Sequence, residues 1–149
     1  MTILRPLLAV PLLLTAGCDL VGGETVLAPA TRVEISGLPR SDGGVAWDPP
    51  AGAPDVFFEI QNAGQSPFHT SETVPDASAD TLRFDVPAFE APSDETDLRV
   101  VVFDFDGSAL ASVRMASSNL FTVGDLRAAT DTLELAGTSP NLRIAFVPR

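Results

Sequence analysis

Two aspartates end an apolar segment of the chain at a spacing that suits metal binding. Asp104 and Asp106 flank Phe105 at the end of the run 98–105, which reads LRVVVFDF. Successive side chains of an extended chain point to opposite faces, so residues two apart face the same way. The spacing therefore predicts two carboxylates side by side at the end of a strand.

A second group of acids precedes another β-patterned segment. Asp42 and Asp48 lie in a glycine- and proline-containing loop, and Asp55 stands at the head of the strand pattern that follows. Calcium takes about six to eight oxygen ligands, many of them carboxylates on adaptable loops. Two acidic loops that face each other at one end of a fold would supply such ligands. The alternative is a set of solvated loop acids that cap turns and raise solubility.

Catalysis by a nucleophile and its base finds little support in the sequence. There is no Gly-x-Ser-x-Gly turn, and the only cysteine, Cys18, lies at the end of an N-terminal apolar run. Paired aspartates could act as acid and base in glycoside cleavage, but that chemistry needs a cleft lined with stacking aromatics. The chain has one tryptophan and no tyrosine. We therefore predict that the protein is not an enzyme.

The composition excludes several classes of partner and site. The 149 residues carry a formal net charge of −11, and all nine basic residues are arginines. Nucleic-acid binding needs a basic surface for phosphate contacts, and electrostatic docking on anionic lipid needs one as well. One histidine and one cysteine cannot form a zinc cluster or an internal disulfide. The length fits one domain, which we expect to be monomeric.

The N-terminus has the pattern of an export signal. Arg5 precedes an apolar run over 6–16, which Pro11 interrupts and which is shorter than the ~20 residues of a membrane-spanning helix. The run ends in Leu-Thr-Ala-Gly-Cys, which resembles the lipobox of bacterial lipoproteins. The resemblance implies a signal peptide over 1–17 and a palmitate-type lipid anchor on Cys18. It also implies a membrane-anchored lipoprotein of the bacterial cell envelope, on the outer membrane or the periplasmic face, outside the cytoplasm. An ordinary secretory signal is the alternative.

The remainder of the chain predicts a tether followed by a β-rich domain. Residues 18–30, the lipidated cysteine and a flexible tether, contain glycine and proline without a sustained period. In the domain over 31–149, apolar residues at every second position alternate with turn residues. The run 98–105 fits a central strand covered on both faces, and 69–74 fits an edge strand. Thr122 and Asp125 have capping-box spacing. We predict an all-β fold, an eight-stranded antiparallel β-sandwich with one short helix in a loop.

Three stretches of the domain resemble the C2 domain family. They are 54–60 (PDVFFEI), 69–77 (HTSETVPDA) and 98–106 (LRVVVFDFD). In that family, similar stretches form the strand after calcium loop one, an edge strand with its turn, and the strand that enters calcium loop three. The resemblance covers about residues 31–149 and implies an eight-stranded C2 sandwich that docks on membranes or proteins in a calcium-dependent way.

The same resemblance implies a set of calcium ligands. Asp48 and Asp55 match the ligands of loop one, Asp104 and Asp106 match those of loop three, and Asp42 is a candidate extra ligand. The family has a further aspartate after the last of these, where this chain reads GSALAS. Fewer charged ligands mean weaker binding, so we expect a weak calcium site.

The function predicted from these patterns is a non-catalytic binding module held at a membrane by its N-terminal lipid. Its docking would be calcium-dependent, and its partner would be another protein or a component of the envelope. A metal-independent structural or interaction domain of the cell envelope is the alternative.

Overall fold

The computed structural model describes residues 25–48, 52–62, 66–107 and 111–149. The predicted signal peptide over 1–17 and the lipidation site Cys18 lie outside these residues. Within the described part of the chain, no helix is both long and apolar enough to cross a membrane.

The described residues form eleven strands and one short helix. The strands are β1 (Val26–Ala28), β2 (Thr31–Ser36), β3 (Val56–Gln61), β4 (His69–Thr70), β5 (Thr81–Val86), β6 (Phe89–Ala91), β7 (Asp97–Asp104), β8 (Val113–Ser117), β9 (Phe121–Thr122), β10 (Leu133–Ala136) and β11 (Arg143–Pro148). The helix, α1 (Val123–Ala128), follows β9 directly.

Two antiparallel sheets make up the sandwich. One has the strand order β10-β11-β2-β5, and the other has the order β4-β3-β7-β8 with β9 pairing to the start of β7. A separate two-stranded ribbon joins β1 to β6. The all-β fold with antiparallel sheets and one short helix is thereby confirmed.

Alternation along the strands places one face of each sheet in a common core. In β2, Val33 and Ile35 are fully buried, whereas the adjacent Arg32 is exposed. Phe58 of the second sheet packs edge-to-face on Phe84 of the first, with ring centroids 5.0 Å apart. Burial of a side chain of this size stabilises a fold by about 1.5–3 kcal/mol. The core therefore joins the two sheets.

Strand β7 is covered on both faces, as its continuous apolar run predicts. Val100, Val101 and Val102 are all buried. On the face that points away from the core, Phe57 stacks on Phe103 with ring centroids 5.1 Å apart. A strand buried on both faces is rigid, and it fixes the position of whatever follows its last residue.

The predicted capping box is present at the start of α1. The backbone N–H of Asp125 donates to the Thr122 hydroxyl at 3.0 Å, and the N–H of Thr122 donates to the Asp125 carboxylate at 2.7 Å. These bonds satisfy two donors that a helix start otherwise leaves unpaired. Val123 and Leu126 of the helix are buried, so the short helix is tied to the sandwich.

Two features differ from the sequence prediction. The described residues contain eleven strands rather than eight, because β1, β6 and β9 are only two or three residues long and show too little alternation to detect. The predicted tether over 18–30 overlaps the fold, since β1 pairs with β6 and Ala28 is fully buried. A three-residue strand gains its stability from this pairing and burial, neither of which its own sequence reveals.

One end of the sandwich carries the acidic loops. Asp104, the last residue of β7, pairs with Val56, the first residue of β3. Pro54, just before β3, lines a cavity of about 330 Å³ together with Ile35 near the end of β2. These contacts place the end of β2, the start of β3 and the end of β7 together, and we call this the acidic end.

The opposite end carries the helix. Thr31, which begins β2, lines a shallow groove with Leu126 of α1 and Pro148, the last residue of β11. Asp97, which begins β7, pairs with Thr122 just before the helix. We call this the helix end.

Candidate functional site

The pairing of β3 with β7 sets the position of Asp104. The backbone N–H of Asp55 donates to Oδ1 of Asp104 at 2.9 Å, and the N–H of Phe105 donates to the carbonyl of Asp55 at 2.8 Å. The Asp104 residue is only 1% exposed. A buried carboxylate held by a backbone donor has a fixed direction, unlike one on a solvated loop.

Asp106 follows on the same side of the chain as Asp104 but is exposed. The chain turns immediately afterwards at Gly107, whose φ of 82° lies in the left-handed region that glycine adopts without a steric cost. The strand end therefore supplies one buried and one exposed carboxylate.

The loop between β2 and β3 brings a third carboxylate, that of Asp48, to the same place. The N–H of Gly52 donates to the carbonyl of Asp48 at 2.6 Å, which closes the loop on itself. A Cβ at position 52 would lie 2.6 Å from the Cβ of Asp48, so only glycine fits. The neighbouring Trp47 anchors the loop, because its indole N–H donates to the carbonyl of Pro39 at 2.9 Å.

Three carboxylates converge at the acidic end as a result. Asp48, Asp104 and Asp106 each offer an oxygen, and these oxygens all lie within 4.8 Å of one another. We call this group the carboxylate cluster. Three hard oxygen donors at this spacing can share one divalent cation.

Two members of the cluster have a pKa above the ordinary value, chiefly because of desolvation. Desolvation raises the pKa of Asp104 above its ordinary value, and the charges of Asp48 and Asp106 raise it further. The hydrogen bond from the Asp55 N–H acts in the opposite direction. Desolvation also raises the pKa of Asp48, with the neighbouring carboxylates adding to the rise. The charged forms of these groups are therefore disfavoured where they stand.

Asp55 lies beside the carboxylate cluster without forming part of it. Its charge contributes to the raised pKa of both Asp48 and Asp104. Its own Oδ1 accepts a hydrogen bond from the backbone N–H of Asp76 at 2.8 Å. Asp55 therefore acts as a link between the cluster and a third loop.

Asp42 is not brought into the cluster. It bridges to Val45 through two backbone hydrogen bonds of 2.9 Å, closing a tight turn at the tip of its loop. Of the five aspartates proposed as ligands from the sequence, the structure brings three together, places Asp55 beside them and leaves Asp42 apart.

Sequence reasoning missed Asp76, whose charge also raises the pKa of Asp48. Its φ of 48° is a left-handed conformation that aspartate tolerates better than most residues. The Pro75-Asp76 pair is a turn signal that would have drawn attention to this loop. Nothing in the local pattern indicates that the turn lies against Asp55, because residues 21 apart meet only through the strand pairing.

Comparison with known proteins identifies the architecture. No protein-family model matches the chain, and no curated protein matches its sequence. Among solved structures, the one titled BON1-C2B has a TM-score of 0.54 and 10% identity, covering 87% of this chain and 93% of its own. A calcium-bound structure of two C2 domains of Extended-Synaptotagmin 2 has a TM-score of 0.51 and 14% identity. The match covers 83% of this chain and 46% of that two-domain chain.

Identities this low carry information about fold and not about activity. Both matches agree with the two antiparallel sheets and the shared core described above. The fold that the sequence resemblance implied is confirmed: the chain folds as a C2-like β-sandwich.

Proposed function

We propose that this chain is a membrane-anchored lipoprotein with a C2-like, non-catalytic binding module, and that the carboxylate cluster binds calcium to order the acidic end for a partner. The observation that carries the proposal is the convergence of Asp48, Asp104 and Asp106 within 4.8 Å. In this scheme the cation supplies positive charge between the loops, and the residues supply the oxygen ligands.

Electrostatics favours a cation in the cluster. Two like charges 4 Å apart repel by about 1 kcal/mol in water and by about 4 kcal/mol at the effective dielectric typical of protein surfaces. Asp104 is buried, so solvent screens its charge less than that of exposed Asp106. A divalent ion would turn this repulsion into attraction and stiffen both loops.

The donor set fits calcium better than other common metals. The cluster offers carboxylate oxygens only, which suits hard cations and not zinc. Its members come from two loops and a strand end, and calcium accepts such irregular geometry. Magnesium demands a tight octahedral shell and gives up its waters reluctantly. With three carboxylates, we expect an affinity of about 10⁻⁴–10⁻³ M, typical of extracellular calcium modules.

A metal-independent interaction domain is the second candidate, and one observation favours it. Asp104 already accepts a hydrogen bond from Asp55, and Asp55 accepts one from Asp76. These bonds join the end of β7 to two loops without an ion. The acidic end could therefore keep its shape by hydrogen bonding alone and bind a protein or envelope partner directly.

The position of the single histidine supports a non-catalytic role. His69 of β4 pairs with Ile60 of β3. Val56, which pairs with Asp104 of the cluster, lies four residues before Ile60 on the same strand. His69 is therefore about 13 Å from the cluster, measured along the strand. Burial lowers the pKa of His69, and its ring packs near Phe58. A proton donor or acceptor that acted with the cluster would have to lie within hydrogen-bond reach.

The lipid anchor is proposed from the sequence around Cys18. Fatty-acid labelling in cells tests it: the wild-type chain should take up label, and Cys18→Ala should take up none. Label on both proteins or on neither would contradict the proposed anchor.

Calcium binding is tested by thermal melts and calorimetric titration of the chain from residue 25 onward, which contains every described element. A ligand that binds only the folded state raises the melting temperature. Millimolar calcium should do so for the wild type and not for the double variant Asp104→Asn with Asp106→Asn. Asp80→Asn is the matched control, because Asp80 is a highly exposed acid that lines the acidic-end cavity outside the cluster. A wild type whose melting temperature calcium leaves unchanged would favour the metal-independent function.

A further inference from the structure

Strand β5 is the outer strand of its sheet, and one side of its backbone has no partner among the described residues. All six of its residues pair with β2. In the part of the chain that the structure describes, no backbone hydrogen bond outside this pairing involves residues 81–86. The preceding segment follows β3 instead, because its N–H groups within 71–77 donate to β3 and to Pro54. An uncovered edge offers N–H and C=O groups to a further strand.

The other outer strands of the two sheets differ from β5 in length and in cover. β4 has two residues, β10 has four and β8 has five, against six in β5. The ends of β8 and β10 are joined by two backbone hydrogen bonds. The N–H of Asn119 donates to the carbonyl of Ala136 at 2.9 Å, and the N–H of Thr138 donates to that of Ser117 at 2.8 Å. β5 is therefore the outer strand best suited to pair with another chain.

The side chains of β5 alternate between the core and the outer face of the sheet. Leu82, Phe84 and Val86 are buried. Arg83 and Asp85 point outward, and 63% and 66% of their side-chain surface is exposed. The uncovered edge therefore presents a positive and a negative charge two residues apart.

These charges match those of a second copy of the same strand. When β5 pairs antiparallel with its copy about Phe84, Arg83 of each copy lies opposite Asp85 of the other. This register keeps the apolar side chains of both copies on the core side. Registers centred on Arg83 or on Asp85 do so as well, but they place like charges opposite each other, which is unfavourable. Charge therefore selects the register centred on Phe84.

The charges next to this edge are balanced, although the chain as a whole is strongly acidic. Arg83 forms an ion pair with Glu34, and Asp85 lies within ion-pair distance of Arg32 and Arg149. This group contains three arginines and two acids. Exposed charges more than about 8 Å away are largely screened at physiological ionic strength. A second copy that approaches this edge therefore does not meet the negative excess of the whole chain.

We propose that β5 is a self-association surface, at which two copies of this chain pair antiparallel about Phe84 and join their four-stranded sheets into one continuous sheet. The contact has two-fold symmetry, so the same residues serve both copies. It needs neither calcium nor the lipid anchor, and it differs from the monomer expected from the length of the chain. Two six-residue strands bury less surface than the interface of a stable dimer, so the association is weak and depends on concentration.

Charge reversal tests the contact by sedimentation of the chain from residue 25 onward, without calcium or lipid, from micromolar to millimolar concentration. The wild type should approach the mass of a dimer. Arg83→Asp sets acids against acids in its own dimer, and Asp85→Arg sets arginines against arginines, so each variant alone should associate about tenfold more weakly. An equal mixture of the two variants should restore the association, because acids then lie opposite arginines.

Glu134→Arg is the matched control for this experiment. Glu134 is an exposed acid of β10, at the opposite edge of the same sheet, and it lies in one row with Glu34 across Ala145. Its reversal should leave the association unchanged. A loss as large as that of Asp85→Arg would move the contact to another surface and overturn the proposal.

Three other results would also overturn the proposal. They are a wild type that stays monomeric at millimolar concentration, single variants that associate as the wild type does, and a mixture that associates no better than its components. Amide exchange of the wild type needs no variant and therefore does not depend on how the variants fold. Alternate amide protons within 81–86 should exchange several-fold more slowly in concentrated than in dilute protein, and rates independent of concentration would exclude the pairing.

Discussion

The acidic side chains at the two ends of the sandwich differ in the groups that surround them. At the helix end, both carboxylate oxygens of Asp94 accept hydrogen bonds from Arg127, at 2.7 and 2.9 Å. Asp125 caps the helix start. Asp94 and Asp125 therefore each have a local partner within the fold.

At the acidic end, the carboxylates face one another. Within the described residues, no arginine forms an ion pair with Asp48, Asp104 or Asp106. Burial and mutual repulsion instead raise the pKa of Asp48 and Asp104. Charges balanced within the fold contribute to its stability, whereas unbalanced charges at a loop end cost stability unless a ligand offsets them.

The largest expected effect tests whether the two ends belong to one folding unit. Val102→Asp puts an unpaired carboxylate at a fully buried position of β7, which connects both ends, and should cost several kcal/mol. Circular dichroism and amide exchange should show both ends unfolded together. Retention of the helix end alone would separate them into independent parts.

The next largest effect distinguishes two contributions of Asp104 to stability, its hydrogen bond with the Asp55 N–H and the repulsion of its charge by neighbouring carboxylates. Asp104→Ala removes the acceptor of the Asp55 N–H and should destabilise the metal-free protein by about 1–3 kcal/mol. Asp104→Asn keeps an acceptor oxygen and removes the charge, so it should leave stability unchanged or raise it. Denaturant melts measure the free energy of unfolding of both variants. Equal decreases in the two would show that charge repulsion at Asp104 is unimportant.

A smaller loss is expected at the helix end. Thr122→Ala removes the N-cap hydroxyl and should cost about 1 kcal/mol. Because the cap is remote from the cluster, the calcium-induced shift in melting temperature should be unchanged. Thr122→Ser, which keeps the hydroxyl, serves as the control. A weakened calcium response in the alanine variant would show that the two ends are coupled.

The smallest effect is the pH dependence of the metal-free protein. Because the folded pKa of Asp48 and Asp104 lies above the ordinary value of 3.8, the folded state binds their protons more tightly than the unfolded state does. Their contribution to stability is therefore lost as the pH rises from that value through the raised pKa. Melts from about pH 3.5 to 7 of the wild type and of the Asp48→Asn, Asp104→Asn variant should diverge, with the variant gaining relative stability as pH rises. Parallel curves would contradict the raised pKa values.

Much of the fold could be predicted from the sequence because it depends on patterns of neighbouring residues. Alternation placed β2, β3, β5, β10 and β11, and the uninterrupted apolar run placed β7. The capping box of α1 was visible in two residues. Strands β1 and β6 were not visible, since each depends on the other for its hydrogen bonds.

In the candidate site, too, some features follow from local sequence and others depend on the tertiary structure. The adjacency of Asp104 and Asp106 follows from the two-residue period of a strand, which any extended segment obeys. The arrival of Asp48 and the separation of Asp42 depend on how one loop closes at Gly52 and turns at Val45. The contact of Asp76 with Asp55 depends on strand pairing across 21 residues.

By itself the sequence determined the all-β class, the covered central strand, the helix cap and the paired carboxylates at the end of that strand. These properties depend on neighbours a few residues apart, where backbone geometry is nearly fixed. Only the tertiary structure decided which acids meet, which are buried and at which end of the domain they lie. Those outcomes depend on loop closure and on sheet packing, which bring together residues whose separation along the chain carries no signal of their contact.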